Sequence, residues 1–249
     1  MLMAKPKSQS SDELKKLKEE LKKVKVELKK QKKLASIGTM ASSIAHEIKN
    51  PLVAVKTFFD LFPTKHDDVE FRDSFSLIVK REVERINELV TQLLDFARPK
   101  KPQFEDVDLQ RIIRDTLDLL AIHIKDSNVN VAYKDGASLP KVRADREQIS
   151  RVFMNIILNG VQAMHQGGAL EISCSPNKNK LETSIKDNGT GISDQDLEQI
   201  FEPFFSTKHK GSGLGLCICQ QIIQDHEGEI LVHSSPKGTE FKITIPICN

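Results

Sequence analysis

Between residues 12 and 33, apolar side chains fall at Leu14, Leu17, Leu21, Val24 and Leu28, alternately three and four apart, with Lys and Glu between them. This spacing draws one narrow stripe along an α-helix, too narrow to cover a globular core, and predicts a two-stranded coiled-coil seam. Ser11 or Asp12 supplies its N-cap, with acidic residues in the first turn. From Leu34 the stripe widens to take in Ile37, Met40, Ala41, Ile44, Ala45, Ile48, Leu52, Val55 and Phe59, as a helix of a four-helix bundle requires. The pattern fails at Pro63, and residues 63–68 read as a hairpin turn. A second amphipathic helix follows, with Phe71, Phe75, Val79, Val83, Ile86, Val90, Leu93 and Ala97 on one side. It ends at Arg98, and Pro99-Lys100-Lys101-Pro102 forms a stiff basic linker. Two helices cannot enclose a core, so residues 34–98 predict a hairpin that pairs with a second copy into a homodimeric four-helix bundle.

After Pro102 the texture changes. Short β-rich runs appear at 128–133, 169–174, 181–186, 229–233 and 240–245, with helical patterns near 108–124, 145–165, 194–200 and 213–226. This alternation predicts that residues 103–249 form one α/β sandwich, a sheet with helices on one face. The fold class is thus multidomain: an α unit followed by an α/β unit.

Composition narrows the setting. In 249 residues, 39% hydrophobic and 29% charged positions suit a soluble chain with a real core and argue against wholesale disorder. No apolar run reaches the roughly 18 residues that span a bilayer, and no signal peptide is visible. A cytoplasmic setting is therefore expected, with membrane contact only through a region outside this stretch. The cysteines at 174, 217, 219 and 248 form no Cys-x-x-Cys pair, so neither a zinc site nor a disulfide framework is expected. The net charge of +2 conceals an asymmetry: residues 1–33 hold twelve Lys against five acidic residues, which leaves the rest net negative. Nucleic acid is not an expected partner.

Four motifs in the second unit carry candidate chemistry. Asn155 and Asn159 lie four apart on a helix, so both amides share a face. Asp187-Asn188-Gly189-Thr190-Gly191-Ile192 follows a strand, and its glycines let backbone approach a flat ligand. Phe201-Glu202-Pro203-Phe204-Phe205 is an aromatic cluster suited to anchoring a loop. Gly211-Ser212-Gly213-Leu214-Gly215-Leu216 opens a helix, where exposed N–H groups and the positive dipole end make a phosphate cradle. No Walker P-loop is present. In this order the motifs resemble the ATP-binding fold, GHKL or Bergerat, shared by histidine kinases, DNA gyrase B, the Hsp90 chaperones and the MutL mismatch-repair proteins.

The hairpin discriminates among those relatives. Ser43-Ile44-Ala45-His46-Glu47-Ile48-Lys49-Asn50-Pro51-Leu52 is similar to the phospho-acceptor box of sensor histidine kinases, with His46 on the outer side of the helix. The resemblance, which covers residues 34–249, implies an ATP-dependent protein-histidine kinase. Such an enzyme phosphorylates itself and passes the phosphoryl group to an aspartate on a response-regulator receiver domain. It implies that His46 is the phosphorylated residue, Glu47 the acid that polarises the other ring nitrogen, and Asn50 the residue that positions water when the partner is dephosphorylated. Pro51 is expected to kink the helix beyond that site. Asn159 matches the Mg²⁺ ligand, with Asn155 beside it. Asp187 matches the carboxylate that accepts from the adenine amino group, in a pocket framed by Gly189, Gly191 and Ile192. Thr207 and Lys208 fall in a short lid over 206–211, and Lys208 or Lys210 meets phosphate charge. Gly211, Ser212, Gly213, Leu214, Gly215 and Leu216 hold the phosphates, and Thr239 belongs to the terminal strand motif, which is mostly structural.

Two departures matter. Many relatives carry a basic residue three after the metal-binding Asn; here it is Gln162, so phosphate charge must come from the lid. Related ATP hydrolases place a Glu where this chain has Asn155, and an amide cannot deprotonate water. A chaperone-like or topoisomerase-like ATPase is thereby disfavoured, and a dead scaffold would require a broken motif where none is seen. By resemblance, Ala54, Thr57, Phe58 and Leu61 are candidates for docking the receiver, although Phe58 suits the bundle core equally well. The Leu14–Leu28 seam also falls out of phase with Leu34 and Ile37, so the junction over 28–37 is expected to have two packings that a sensor could bias.

Overall fold

Two long helices form a hairpin: α1, Ala41–Lys65, and α2, Val69–Ala97. The computed structural model describes residues 17, 20, 21, 24, 27, 28, 31, 35, 38, 41–97, 100–134, 139–208 and 211–248. The chain divides into two units, Met1–Pro99 and Lys100–Asn249. Leu17, Leu21, Val24 and Leu28 are helical and exposed, while Leu14, Leu34, Ile37, Met40, Arg98, Pro99 and Lys210 lie outside the described residues. No described helix is long and apolar enough to cross a membrane.

The turn between α1 and α2 is shorter than predicted. Pro63 lies inside α1, which runs on to Lys65. Proline already has a helical φ, and so near the C-terminus its missing N–H removes only one of the last hydrogen bonds. Asp68 then starts α2, its carboxylate accepting from the Phe71 N–H at 3.2 Å. Pro51 is also inside α1, which continues as one helix across it, and Glu47 O is left without its helical donor. The turn end of the hairpin is an aromatic cluster. Phe58 stacks on Phe71 with centroids 5.7 Å apart, and Phe75 lies 5.2 Å from both Phe59 and Phe62. Phe58 is thus half-buried and takes part in this cluster. Leu52, Val53, Leu77, Val83, Val90 and Leu94 remain exposed on the single hairpin.

The second unit begins with β1, Glu105–Val107, then α3, Leu109–Asp126, β2, Val129–Lys134, β3, Val142–Ala144, and α4, Arg146–Ala163. It continues with β4, Gly168–Asn177, β5, Lys180–Asp187, the short α5, Asp194–Leu197, and α6, Gly215–Asp225. The last strands are β6, Glu229–Ser235, and β7, Gly238–Pro246. Five strands order as β2-β4-β5-β7-β6, with β2 and β4 parallel and the other pairs antiparallel. Alternate residues of β5 and β7 are buried, so one face of the sheet is covered. Ile149, Phe153, Ile156 and Ile157 of α4 meet Leu170, Leu181, Ile223 and Ile243 in the core, each at most 1% exposed. Full burial of such a side chain contributes about 1.5–3 kcal/mol. The sequence pattern missed the two-stranded sheet of β1 and β3, which pairs Val107 with Val142, because three residues are too few to show alternation.

Two predicted helices are shorter in the structure. The segment expected to be helical over 194–200 holds only one turn, capped by Ser193, whose hydroxyl accepts from the Asp196 N–H. The segment expected over 213–226 begins at Gly215, because Gly213 has φ +64° and cannot belong to a right-handed helix.

Candidate active site

On α1, His46 and Asn50 are exposed and one turn apart, on the same side of the helix. Glu47 is half-buried. Desolvation lifts its carboxyl above the ordinary carboxylate range, and the Arg85 guanidinium of α2 opposes that rise. Arg85 also lies 3.8 Å from buried Glu82, which pairs with Arg81 at 3.2 Å. The sequence reading passed over this polar layer, since only helix packing brings Arg85 to Glu47.

The remaining site residues belong to the second unit, around the C-terminal half of α4, the end of β5 and the start of α6. Asp187 is 5% exposed and ends β5. Its Oδ1 accepts from the Gly189 N–H at 2.9 Å and the Thr239 N–H at 3.2 Å, which leaves Oδ2 free of any donor among the described residues. Burial pushes this carboxyl above its ordinary range; the two backbone N–H groups and, more weakly, Lys208 pull it part of the way back. Thr239 is buried, with its hydroxyl on Ser234, so its part at Asp187 is played by the backbone. Gly160, overlooked in the sequence, lets α4 approach: a Cβ there would lie 3.0 Å from Leu170 and 3.4 Å from Asp187.

Gly189 and Gly191 shape the wall beside Asp187. The Thr190 N–H bonds Ala163 O at 3.3 Å, and the Ile192 N–H donates to Ser234 Oγ at 2.8 Å. Gly191, at φ +71°, passes so close to Ser235 O that any Cβ would overlap it. Across the site, the base of the lid is closed where the Phe204 N–H donates to Gly213 O at 2.9 Å. Both residues have positive φ, and a Cβ on Gly213 would strike the Phe204 backbone.

The start of α6 has no side-chain cap at Leu214, and the N–H groups of Gly215 and Leu216, in the first turn, precede the first i→i−4 acceptor of the helix. Leu214 is buried and Leu216 half-buried; they anchor this turn, and the Ser212 hydroxyl accepts from the Leu214 N–H at 3.3 Å. The Asn155 amide donates to Gly215 O at 3.5 Å, bracing α6 against α4. Asn159, one turn on, accepts from Lys208 Nζ at 3.1 Å through Oδ1. Thr207 is exposed in the lid, and the Gly211 N–H donates to Lys208 O at 3.4 Å.

A buried latch supports α4 from behind. The Asp145 carboxylate accepts from the Gln148 N–H at 3.0 Å and from the Gln103 N–H at 2.8 Å. The Asp145 N–H donates to His226 Nε2 at 2.9 Å, so Nδ1 carries the ring proton and donates to Ile222 O at 2.7 Å. His226 thereby ties the end of α6 to the start of α4.

Comparison with known proteins agrees with both units. Residues 36–102 match the His Kinase A (phospho-acceptor) domain, and residues 144–249 match the histidine kinase-, DNA gyrase B-, and HSP90-like ATPase family. Sporulation kinase C of Bacillus subtilis is 36% identical over 220 residues, 86% of this chain and 50% of that protein. The signal transduction histidine-protein kinase AtoS of Escherichia coli is 35% identical over 217 residues, covering 86% of this chain and 36% of that one. The chain thus spans half or less of the length of these curated relatives. Among solved structures, histidine kinase ThkA in complex with response regulator protein TrrA aligns with TM-score 0.78 and 29% identity, over 92% of this chain and 67% of that one. The separate ThkA catalytic domain is 32% identical with TM-score 0.55, over 58% of this chain and 96% of that one. With a phospho-acceptor hairpin and a GHKL-type ATP-binding domain in one chain, this protein belongs to the sensor histidine kinase family.

Proposed function

We propose that this chain phosphorylates its own His46 from ATP and passes the phosphoryl group to an aspartate of a response regulator, and that it also dephosphorylates that partner. The observation that carries this reading is an exposed imidazole beside a half-buried carboxylate, in one chain with a pocket built for a nucleotide. One His46 ring nitrogen attacks the γ-phosphorus, forming an N–P bond as the P–O bond to ADP breaks. Glu47 takes up the proton on the other ring nitrogen, and its raised pKa brings it nearer to neutral pH, where it is a better base. Asn50 orients the water that attacks the phosphorus of the partner's aspartyl phosphate, breaking the P–O bond to the aspartate and releasing inorganic phosphate.

The second unit fits ATP and Mg²⁺. Asp187 Oδ2 is the free acceptor for an adenine amino group, and the uncapped start of α6, from Gly215, faces an anion with N–H groups. Asn159 Oδ1 already accepts a cationic group, and it is the atom we assign to Mg²⁺. Mg²⁺, when bound there, neutralises phosphate charge. Exposed Leu52, Val83 and Val90 support pairing of two hairpins as a homodimer. Ala54, Thr57, Phe58 and Leu61 are the candidates for receiver docking. ThkA is seen in complex with a response regulator, which favours that class of partner. The cytoplasm, where ATP and receivers meet, is the compartment we assign.

Incubation with γ-labelled ATP and Mg²⁺ tests the reading. An acid-labile, base-stable protein label is expected, and His46→Gln is expected to abolish it while leaving nucleotide affinity unchanged, because Asp187 and Asn159 lie in the other unit. A label that survives His46→Gln would move the acceptor to another histidine. Steady phosphate release without any label would favour a hydrolase.

A further inference from the structure

Lys208 sits in the lid on a tightly held backbone. Its N–H donates to Ser206 Oγ at 3.1 Å, and the same hydroxyl donates to Lys208 O at 3.2 Å. From there the side chain crosses to α4, where Nζ donates to Gln162 Oε1 at 2.8 Å and to Asn159 Oδ1 at 3.1 Å. Asn159 and Gln162 are three residues apart and share one face of α4. Although Lys208 is exposed along its length, its ammonium is crowded: desolvation lowers its pKa, and the Asp187 carboxylate offsets part of the fall. Two neutral amides, rather than a carboxylate or open water, therefore hold a cation at the place assigned to the metal and phosphates.

We infer that Lys208 is a positioning residue that fastens the lid to α4 before nucleotide binds and carries to the phosphates the positive charge that α4 lacks at Gln162. This rests on the nucleotide reading of the site. Gln162 is the anchor that remains when a metal takes Asn159 Oδ1, so the lysine can shift toward the phosphates without releasing the lid. One side chain thus both holds the lid and supplies the charge; a cation fixed on α4 itself would separate the two roles.

The experiment relocates the charge. Wild type over residues 1–249, Lys208→Met, Gln162→Lys and the double variant are compared for binding of a fluorescent ATP analogue with Mg²⁺, and for amide hydrogen exchange over 204–214 without nucleotide. Gln162 is exposed, so its replacement leaves the core untouched. Lys208→Met should weaken binding about 10- to 100-fold, the scale of one charged hydrogen bond, and speed lid exchange. The double variant should regain most of the affinity, with the ammonium now on α4, while lid exchange stays fast. Gln162→Lys alone should also speed lid exchange, since two ammonium groups compete for one position with Lys208 intact. A merely structural Lys208 would give no rescue of affinity by a charge placed elsewhere. Lid exchange unmoved by Lys208→Met, or a double variant no tighter than Lys208→Met, would overturn the inference. Wild type that fails to bind the analogue would overturn the nucleotide reading along with it.

Discussion

Asp187→Asn separates recognition from folding at a single atom. Asn keeps the shape of the side chain, and its Oδ1 can accept from the Gly189 and Thr239 N–H groups as the carboxylate does at 2.9 and 3.2 Å. What changes is the second position: an NH₂ replaces Oδ2, so a donor faces the donor of an adenine amino group. A hydrogen bond to a charged group contributes about 1.5–3 kcal/mol, so nucleotide affinity should fall about 10- to 100-fold. Stability should move the other way. Burial raises the Asp187 pKa, so the folded chain holds that proton more tightly than the unfolded chain does. The stability contribution of Asp187 is full below its unfolded pKa and is lost as pH rises through the raised folded value. Replacing the charge by a neutral amide should therefore hold or raise the thermal midpoint at neutral pH. Binding, which requires the ionised carboxylate, should weaken on acidification at a higher pH than an ordinary carboxylate would give, and that limb should flatten in Asp187→Asn. Fluorescence titration across pH, beside thermal melts, reads both quantities. Affinity unchanged in the variant, or affinity lost together with a lower midpoint, refutes the assignment of Oδ2 to the ligand.

Other expectations follow from neighbouring contacts. His226→Ala leaves the buried Asp145 N–H without its acceptor and should cost the second unit about 1–3 kcal/mol in urea unfolding; a change within about 0.5 kcal/mol, the scatter of ordinary surface substitutions, would mean that the latch holds nothing. Cys174, Cys217 and Cys219 are buried, and the Cys219 thiol is pushed up to about 12, so alkylation of the native protein at mildly alkaline pH should label Cys248 first, as read by mass spectrometry. Early labelling of Cys219 would show that α6 opens more readily than its packing implies.

Much of this molecule was legible along the chain. The three-to-four spacing that specified the hairpin, and the alternation that located β4, β5, β6 and β7, are properties of neighbouring residues. The glycine motifs were legible for the same reason, since positive φ at Gly191 and Gly213 is a local demand. Other features had no local signature. Pro63 stays helical because only the helix end, not the residue type, sets how many hydrogen bonds are lost. The stacking of Phe58 on Phe71 had no local sign, because Phe71 comes from α2. Strand order was not readable either: β5 pairs with β7 across the lid and α6, and three-residue strands such as β1 carry no period at all. Lys208 and Gln162 stand 46 residues apart, and His226 and Asp145 stand 81 apart. Nothing in the local pattern links such pairs. Steric preference and periodicity act over a few residues, whereas these partners meet only once burial of the α4 core has drawn distant segments together and left each polar group the neighbours it must satisfy.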